Sequence, residues 1–118
     1  MLFRSTAAVD RLYTQSLERM RRIPGVQSAA VALTLPYERP LNDGFRTVDG
    51  VDREEHAGEF VYSTPAYFET MRIPVVAGRT FRDSDTPKAT PVVVVSQSFA
   101  KKYFHGNALG RQIGRAHV

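Results

Sequence analysis

A helical pattern of apolar residues opens the chain. Apolar side chains recur three and four residues apart through residues 6–22, at Val9, Leu12, Tyr13, Leu17 and Met20. Polar and charged residues occupy the other positions of this stretch. Ser5 or Thr6 can cap its start, and Pro24 with Gly25 ends it, because proline lacks the N–H that would continue the helical hydrogen bonding. The pattern predicts an amphipathic helix.

Five further segments have the composition of β-strands, at residues 26–35, 45–48, 59–63, 73–77 and 92–95. Apolar residues alternate along residues 26–35, which is typical of a strand with one buried face. Residues 92–95 are four consecutive valines. A continuous β-branched run of this kind predicts a central strand that is covered on both faces.

Capping residues predict two more helices. Thr64 followed by Pro65 has the form of an N-cap with proline at the first helical position, in a helix that runs to about Met71. Ser96 caps a last helix that ends at Gly106. The aromatic residues of these helices and their surroundings are assigned to the core: Tyr67, Phe68, Phe81, Phe99, Tyr103 and Phe104. The order of elements predicts an α+β fold with helices packed on one face of a mixed β-sheet.

Composition narrows the class of protein. A chain of 118 residues, 42% apolar and 24% charged, has room for one domain with a single modest core. The absence of cysteine removes disulfide frameworks, thiolate zinc sites and thiol nucleophiles together. The longest purely apolar run, residues 92–95, is far shorter than the roughly 20 residues that cross a bilayer.

The two ends of the chain change how its charge is interpreted. Residues 1–5 and 113–118 resemble translated sequencing adapter, so we expect them to be non-native and residues 6–112 to be the authentic part of the domain. The formal net charge is +4, but without Arg4 and Arg115 only 14 of the 16 basic residues remain, against 12 acidic ones. The basic residues are also dispersed, and a nucleic-acid partner is therefore not predicted.

Histidine and serine spacing points to no catalytic, cofactor-binding or metal-binding residue. His56, His105 and His117 are far apart in sequence and lack the spacing of metal ligands. Ser96 and Ser98 follow an apolar run, but the flanking glycines of a nucleophile elbow are missing. Ser96 is therefore interpreted as a helix cap.

One cluster of charges leaves alternatives open. Asp83 and Asp85 follow Arg79 and Arg82 closely, and such a segment is typical of a turn held by local hydrogen bonds and ion pairs. The same two aspartates could bind a cation, or could serve a small hydrolase as acid and base. A free-standing small α+β binding domain is a second alternative.

The motifs taken together resemble the MacB-like periplasmic core domain of ABC-transporter permeases. The resemblance rests on the following residues, in order: Pro24 and Gly25 after a helix, Pro65, Tyr67 and Phe68, Gly78, Arg79 and Phe81, Asp85, the helix residues Phe99, Tyr103 and Phe104, and Gly110. Ser96 and Gln97 stand where the family usually has an Asn-Glu pair, and Ala108 stands where proline is common. The resemblance covers about residues 10–112.

The resemblance implies a non-catalytic, incomplete extracytoplasmic domain of a bacterial inner-membrane permease. Such a domain would relay conformational change and contact substrate or partner proteins during export. It implies no cofactor in this piece, with ATP hydrolysed by a separate or fused ABC ATPase. The implied partners are the rest of the permease chain, the ATPase and a periplasmic adaptor protein, with a dimer in the full transporter.

Overall fold

A computed structural model of the chain describes residues 6–35, 38, 41–48, 50, 54–86 and 88–115. Its helices are α1 (Thr6–Arg21), α2 (Tyr67–Thr70) and α3 (Gln97–Phe104), and its strands are β1 (Leu41–Thr47), β2 (His56–Phe60) and β3 (Ile113–Arg115). These elements confirm the predicted α+β class. Of the ends expected to be non-native, residues 1–5 and 116–118 lie outside the described residues, and the 6–112 boundary stays a prediction.

The sheet has the order β2-β1-β3, with β1 in the centre. β1 pairs antiparallel with β2, Phe45 lying opposite His56, and antiparallel with β3, Thr47 lying opposite Ile113. A mixed sheet was expected, but the three described strands are all antiparallel. The apolar segments at 73–77 and 92–95, which were predicted as strands, form no ladder with the described strands.

The core lies where β1 faces α3. Phe45 and Thr47 are buried, while Arg46 between them is exposed, as expected for alternating side chains on a strand. Phe45 is only 1% exposed, and Phe104 from α3 is buried with it. Gly50 approaches this region closely, because a Cβ there would lie 2.6 Å from the carbonyl oxygen of Tyr103.

Helix α1 has the predicted position, and Leu17 is the one buried residue among its described side chains. Leu17 is buried, whereas Leu12, Tyr13 and Met20 of the same stripe are exposed. Past the helix end, Gly25 has a φ of 88° and the Val26 N–H donates to the Ile23 carbonyl. The sequence placed this helix and its end correctly, but it overstated how much of the apolar stripe is covered.

The predicted strand at residues 26–35 is reduced to an isolated bridge between Ala32 and Ser63. On either side of it, the Leu33 N–H donates to the Tyr62 carbonyl and the Thr64 N–H donates to the Val31 carbonyl, each at 2.8 Å. Among the described residues only this short pairing forms, so the alternation of apolar residues was not enough to make a strand.

The predicted strands at residues 73–77 and 92–95 are absent from the described sheet. Val76 is 71% exposed and Val93 is 61% exposed, so the prediction of a central strand covered on both faces is wrong for residues 92–95. The physical reason is that β-branched side chains favour a strand but do not supply the neighbouring backbone that its N–H and C=O groups need.

The two predicted helix caps have different outcomes. Ser96 caps α3 as expected, because its side-chain oxygen accepts a hydrogen bond from the Phe99 N–H at 3.1 Å. Thr64 does not cap α2, whose N-cap is Ala66 without a side-chain hydrogen bond. The Thr64 hydroxyl oxygen instead accepts from the Val31 N–H at 2.9 Å, which joins two distant parts of the chain.

Candidate functional site

The turn formed by residues 79–85 is held by hydrogen bonds that converge on Asp85. The two terminal nitrogens of Arg79 donate to the two carboxylate oxygens of Asp85, at 2.8 and 3.0 Å. The Arg82 backbone N–H donates to the same carboxylate at 2.8 Å, and Arg79 also donates to the Thr80 carbonyl at 2.9 Å. A bidentate pair of this kind fixes both orientation and distance. We call this segment the 79–85 turn.

Hydrogen bonds within the turn keep the carboxyl group of Asp85 ionised. Hydrogen bonds from the Arg79 guanidinium and from the Arg82 N–H lower the pKa of Asp85 to about 2. The same hydrogen bond raises the pKa of Arg79 above its ordinary value. Both Asp85 oxygens are occupied and the group is ionised far below neutral pH, so it is poorly suited to act as a general base or acid.

Three aromatic residues connect this turn to helix α2. The rings of Tyr67 and Phe68 meet edge to face with centroids 5.5 Å apart, and Phe68 lies 6.1 Å from Phe81. Phe81 is inside the 79–85 turn, so the ring contacts join the turn to α2. The sequence had assigned all three residues to the core, and in the structure each is half-buried.

A second aromatic cluster joins α3 to the sheet. The Phe45 ring lies 5.1 Å from both Phe99 and Tyr103, and Phe99 lies 6.3 Å from Phe104. The His56 ring is tilted against both Tyr103 and Phe45, with ring centroids 4.9 Å and 5.6 Å away. The sequence analysis found the three α3 aromatics but missed Phe45 and His56. Phe45 begins a predicted strand, and its aromatic side chain there was a signal for the core, whereas His56 lies outside the predicted strands.

The family-motif prolines and glycines lie in turns. Pro24 and Gly25 follow α1, and Pro65 precedes α2. Gly78 and Gly110 have φ values of 72° and 76°, a backbone region that residues with a Cβ rarely adopt. A Cβ on Gly78 would lie 2.7 Å from a Leu109 methyl carbon. The structure thus brings the start of the 79–85 turn close to the connector after α3.

A small cleft of about 210 Å³ lies beside the 79–85 turn. Its lining combines apolar and polar residues, among them Tyr62, Pro65, Phe81, Arg82, Pro91 and Val92. Pockets that enclose whole small molecules usually measure about 300–1,000 Å³. The cleft is therefore of a size to take one or two side chains.

Other candidate chemistry is not assembled by the described part of the chain. No group of three or more His, Asp or Glu side chains that could hold a metal ion occurs within the described residues. The Ser96 hydroxyl is engaged as the α3 cap and lies 3.1 Å from the Ser98 hydroxyl. His117 lies outside the described residues. Across those that are described, no helix is both long enough and apolar enough to cross a membrane.

Comparison with known proteins identifies a family. A family model described as the MacB-like periplasmic core domain matches residues 3–115, a range that contains the 79–85 turn, both aromatic clusters and the cleft. No curated protein and no solved structure matches the chain.

Proposed function

Because the chain belongs to the MacB-like periplasmic core domain family, we propose that it relays conformational change and contacts substrate or partner proteins for a bacterial export permease. The family indicates an extracytoplasmic domain of an ABC-transporter permease. The finer proposal is that this domain does no chemistry of its own and that a separate or fused ABC ATPase hydrolyses ATP. The family match over residues 3–115 is the observation that carries it.

The packing of the 79–85 turn supports a mechanical role. A bidentate ion pair, a backbone hydrogen bond to the same carboxylate and the ring of Phe81 hold this loop in one geometry. A loop that relays movement has to transmit force without deforming, and short-range fixed contacts provide that property. The occupied oxygens of Asp85 speak against the hydrolase alternative.

The proposed setting is the bacterial inner membrane, with this domain on the periplasmic side. In this proposal the domain works within a dimeric transporter, with the rest of the permease chain, the ATPase and a periplasmic adaptor as its partners. In this proposal the domain itself binds no cofactor.

Cysteine labelling of the full-length permease tests this location. The chain has no cysteine, so Ser84→Cys in the exposed 79–85 turn introduces a single thiol into the domain. In a permease freed of other cysteines, a membrane-impermeant maleimide should label this thiol in cells whose outer membrane alone is permeabilised. A cysteine placed in the ATPase is the control, and it should react only after the inner membrane is broken. Labelling of Ser84→Cys only after that step would contradict the proposal.

The relay itself is tested by ATPase measurements on the assembled transporter. Arg79→Ala removes the bidentate pair, and Arg79→Lys keeps the charge without the fork geometry. We expect both variants to reduce stimulation of ATP hydrolysis by transport partners while basal hydrolysis stays unchanged. Arg19→Glu, an exposed change on α1, is the control, and an equal effect there would contradict a specific role for the turn.

A further inference from the structure

Three hydroxyl side chains fasten the segment that follows α1 to the region of α2. The Ser28 and Thr70 hydroxyls lie 2.6 Å apart, and the Thr64 hydroxyl accepts a hydrogen bond from the Val31 N–H at 2.9 Å. All three hydroxyl residues are half-buried, and a hydrogen bond that is shielded from water is stronger than one in water. We call Ser28, Thr64 and Thr70 the hydroxyl clamp.

The same segment is also tied to the end of α1. A terminal guanidinium nitrogen of Arg21, the last residue of α1, donates to the Ala29 carbonyl at 3.1 Å. Ala29 directly follows Ser28 in the chain, and the bridge between Ala32 and Ser63 lies a few residues farther on. A displacement of the end of α1 is therefore passed to the hydroxyl clamp through a short and hydrogen-bonded piece of chain.

Helix α2 lies in contact with the 79–85 turn as well. Phe68 of α2 lies 6.1 Å from Phe81, and its carbonyl accepts a hydrogen bond from the Ile73 N–H at 2.8 Å. Thr70 ends the same helix. Because four helical residues span only about 6 Å, Thr70 and Phe68 move as one body. Packed contacts of this kind transmit strain.

We propose that α2 links the end of α1 to the 79–85 turn, so that the two move together, and that Ser28 and Thr70 are the positioning residues of this linkage. The proposal rests on the proposed relay function, for which it supplies a route through the domain. The route consists of hydrogen bonds and ring contacts between consecutive parts of the structure. Coupling between distant sites is carried by contiguous contacts of this type.

Hydrogen exchange in the 118-residue chain tests the linkage. Thr70→Val removes the hydroxyl and keeps the branched shape of the side chain. We expect the Arg82 amide, which donates to Asp85, to exchange about fivefold faster relative to the amides of β1, as the loss of one hydrogen bond predicts. Thr14→Val, the same change at an exposed position of α1, should leave this ratio unaltered. Thr70→Ser keeps a hydroxyl and should restore the parent ratio.

The reverse effect is required as well, because coupling between two sites is reciprocal. Arg79→Ala should make the Val31 amide exchange faster relative to β1 by about the same factor. An unchanged ratio in either direction, or an equal effect of Thr14→Val, would overturn the proposal. If Thr70→Val fails to fold, Ser28→Ala removes the other member of the same hydrogen bond and gives the decisive ratio.

ATPase measurements on the full transporter separate a failure of the linkage from a failure of the proposed function. We expect Thr70→Val to reduce stimulation by transport partners as Arg79→Ala does, with basal hydrolysis unchanged and with Thr70→Ser equal to the parent. Exchange coupling without any loss of stimulation in Arg79→Ala would contradict the relay function and support the linkage. Loss of stimulation in Arg79→Ala without exchange coupling would overturn the linkage alone.

Discussion

The β-sheet with α3 and the segment from residue 73 to residue 95 are both rich in apolar side chains, yet they are held in different ways. In the first region, β1 is hydrogen-bonded on both sides and Phe45 is buried under Phe99 and Tyr103. In the second region, Val76 and Val93 are exposed and no described strand pairs with them. The second region contains the bidentate pair of Arg79 and Asp85 in the 79–85 turn.

This difference shows that apolar composition alone does not bury a segment. Burial also requires that the backbone polar groups find partners, because an unpaired group removed from water is costly. Strands β2 and β3 satisfy the backbone groups of β1. The valines at residues 92–95 have no backbone hydrogen bond with the described residues. We therefore expect the sheet and α3 to carry most of the stability, and the 73–95 segment to carry the contacts with other molecules.

The largest effect should come from removing the buried ring of β1. Phe45→Ala should lower the free energy of unfolding by about 3–5 kcal/mol, because it deletes a buried aromatic side chain and leaves a cavity. Urea titration followed by circular dichroism measures it. Val93→Ala is the control in the other region and should change stability by no more than about 0.5 kcal/mol. Similar losses for the two variants would erase the distinction between the regions.

Two glycines compare the regions under equal backbone strain. Gly78, beside the turn, and Gly106, after α3, have φ values of 72° and 86°. Replacement by alanine at either position should cost about 1–2 kcal/mol, since a Cβ disfavours this conformation. The added contact of Gly78→Ala is with the flexible end of Leu109, which can move. The melting temperatures of both variants should therefore fall by similar amounts. A much smaller loss of stability for Gly78→Ala would mean that the backbone of the 73–95 segment adjusts to the added Cβ more easily than we propose.

The helix cap gives a smaller effect within the first region. Ser96→Ala should lower stability by about 1 kcal/mol, because the Phe99 N–H loses its acceptor. Gln97→Ala is the matched control, since the Gln97 side chain is exposed, makes no hydrogen bond with the described residues, and alanine favours a helix. Thermal melts of the two variants and the parent chain measure the difference. Equal destabilisation by both changes would show that the cap contributes nothing.

The smallest effect should come from the ion pair, and it depends on pH. The pKa of Asp85 is about 2 in the folded chain, below the ordinary 3.8. A lowered pKa means that the pair stabilises the fold above pH 3.8 and that this contribution is lost as the pH falls towards 2. The urea midpoints of the parent chain and of Asp85→Asn should thus differ at pH 7 and converge near pH 2. A constant difference across this range would contradict the role given to the pair.

Sequence reasoning was most successful where structure is decided locally. The spacing of apolar residues located α1, and the Ser96 cap located α3, because caps and helical periodicity involve residues a few positions apart. The pairing of β1 with β3 joins Thr47 to Ile113, and no local pattern contains that contact. The strand prediction for the valines at residues 92–95 was wrong for the same reason, because a strand depends on a neighbouring strand that its own composition does not specify.

The candidate site shows the same limit. The sequence placed Arg79 and Asp85 close enough to pair, and the structure shows both donor–acceptor distances. The sequence could not show that the Thr64 hydroxyl would accept a hydrogen bond from the Val31 N–H instead of capping α2, because Val31 lies 33 residues away. Phe45 and His56 were missed because their contact with α3 is formed only by the folded sheet.

Hydrogen exchange, read residue by residue in the 118-residue chain, tests the contrast between the two regions most directly. We predict strong protection of the amides of β1 and α3. The amides of residues 92–95 should exchange at nearly the rate of an unfolded peptide. Protection of residues 92–95 equal to that of β1, in the chain alone, would contradict the account.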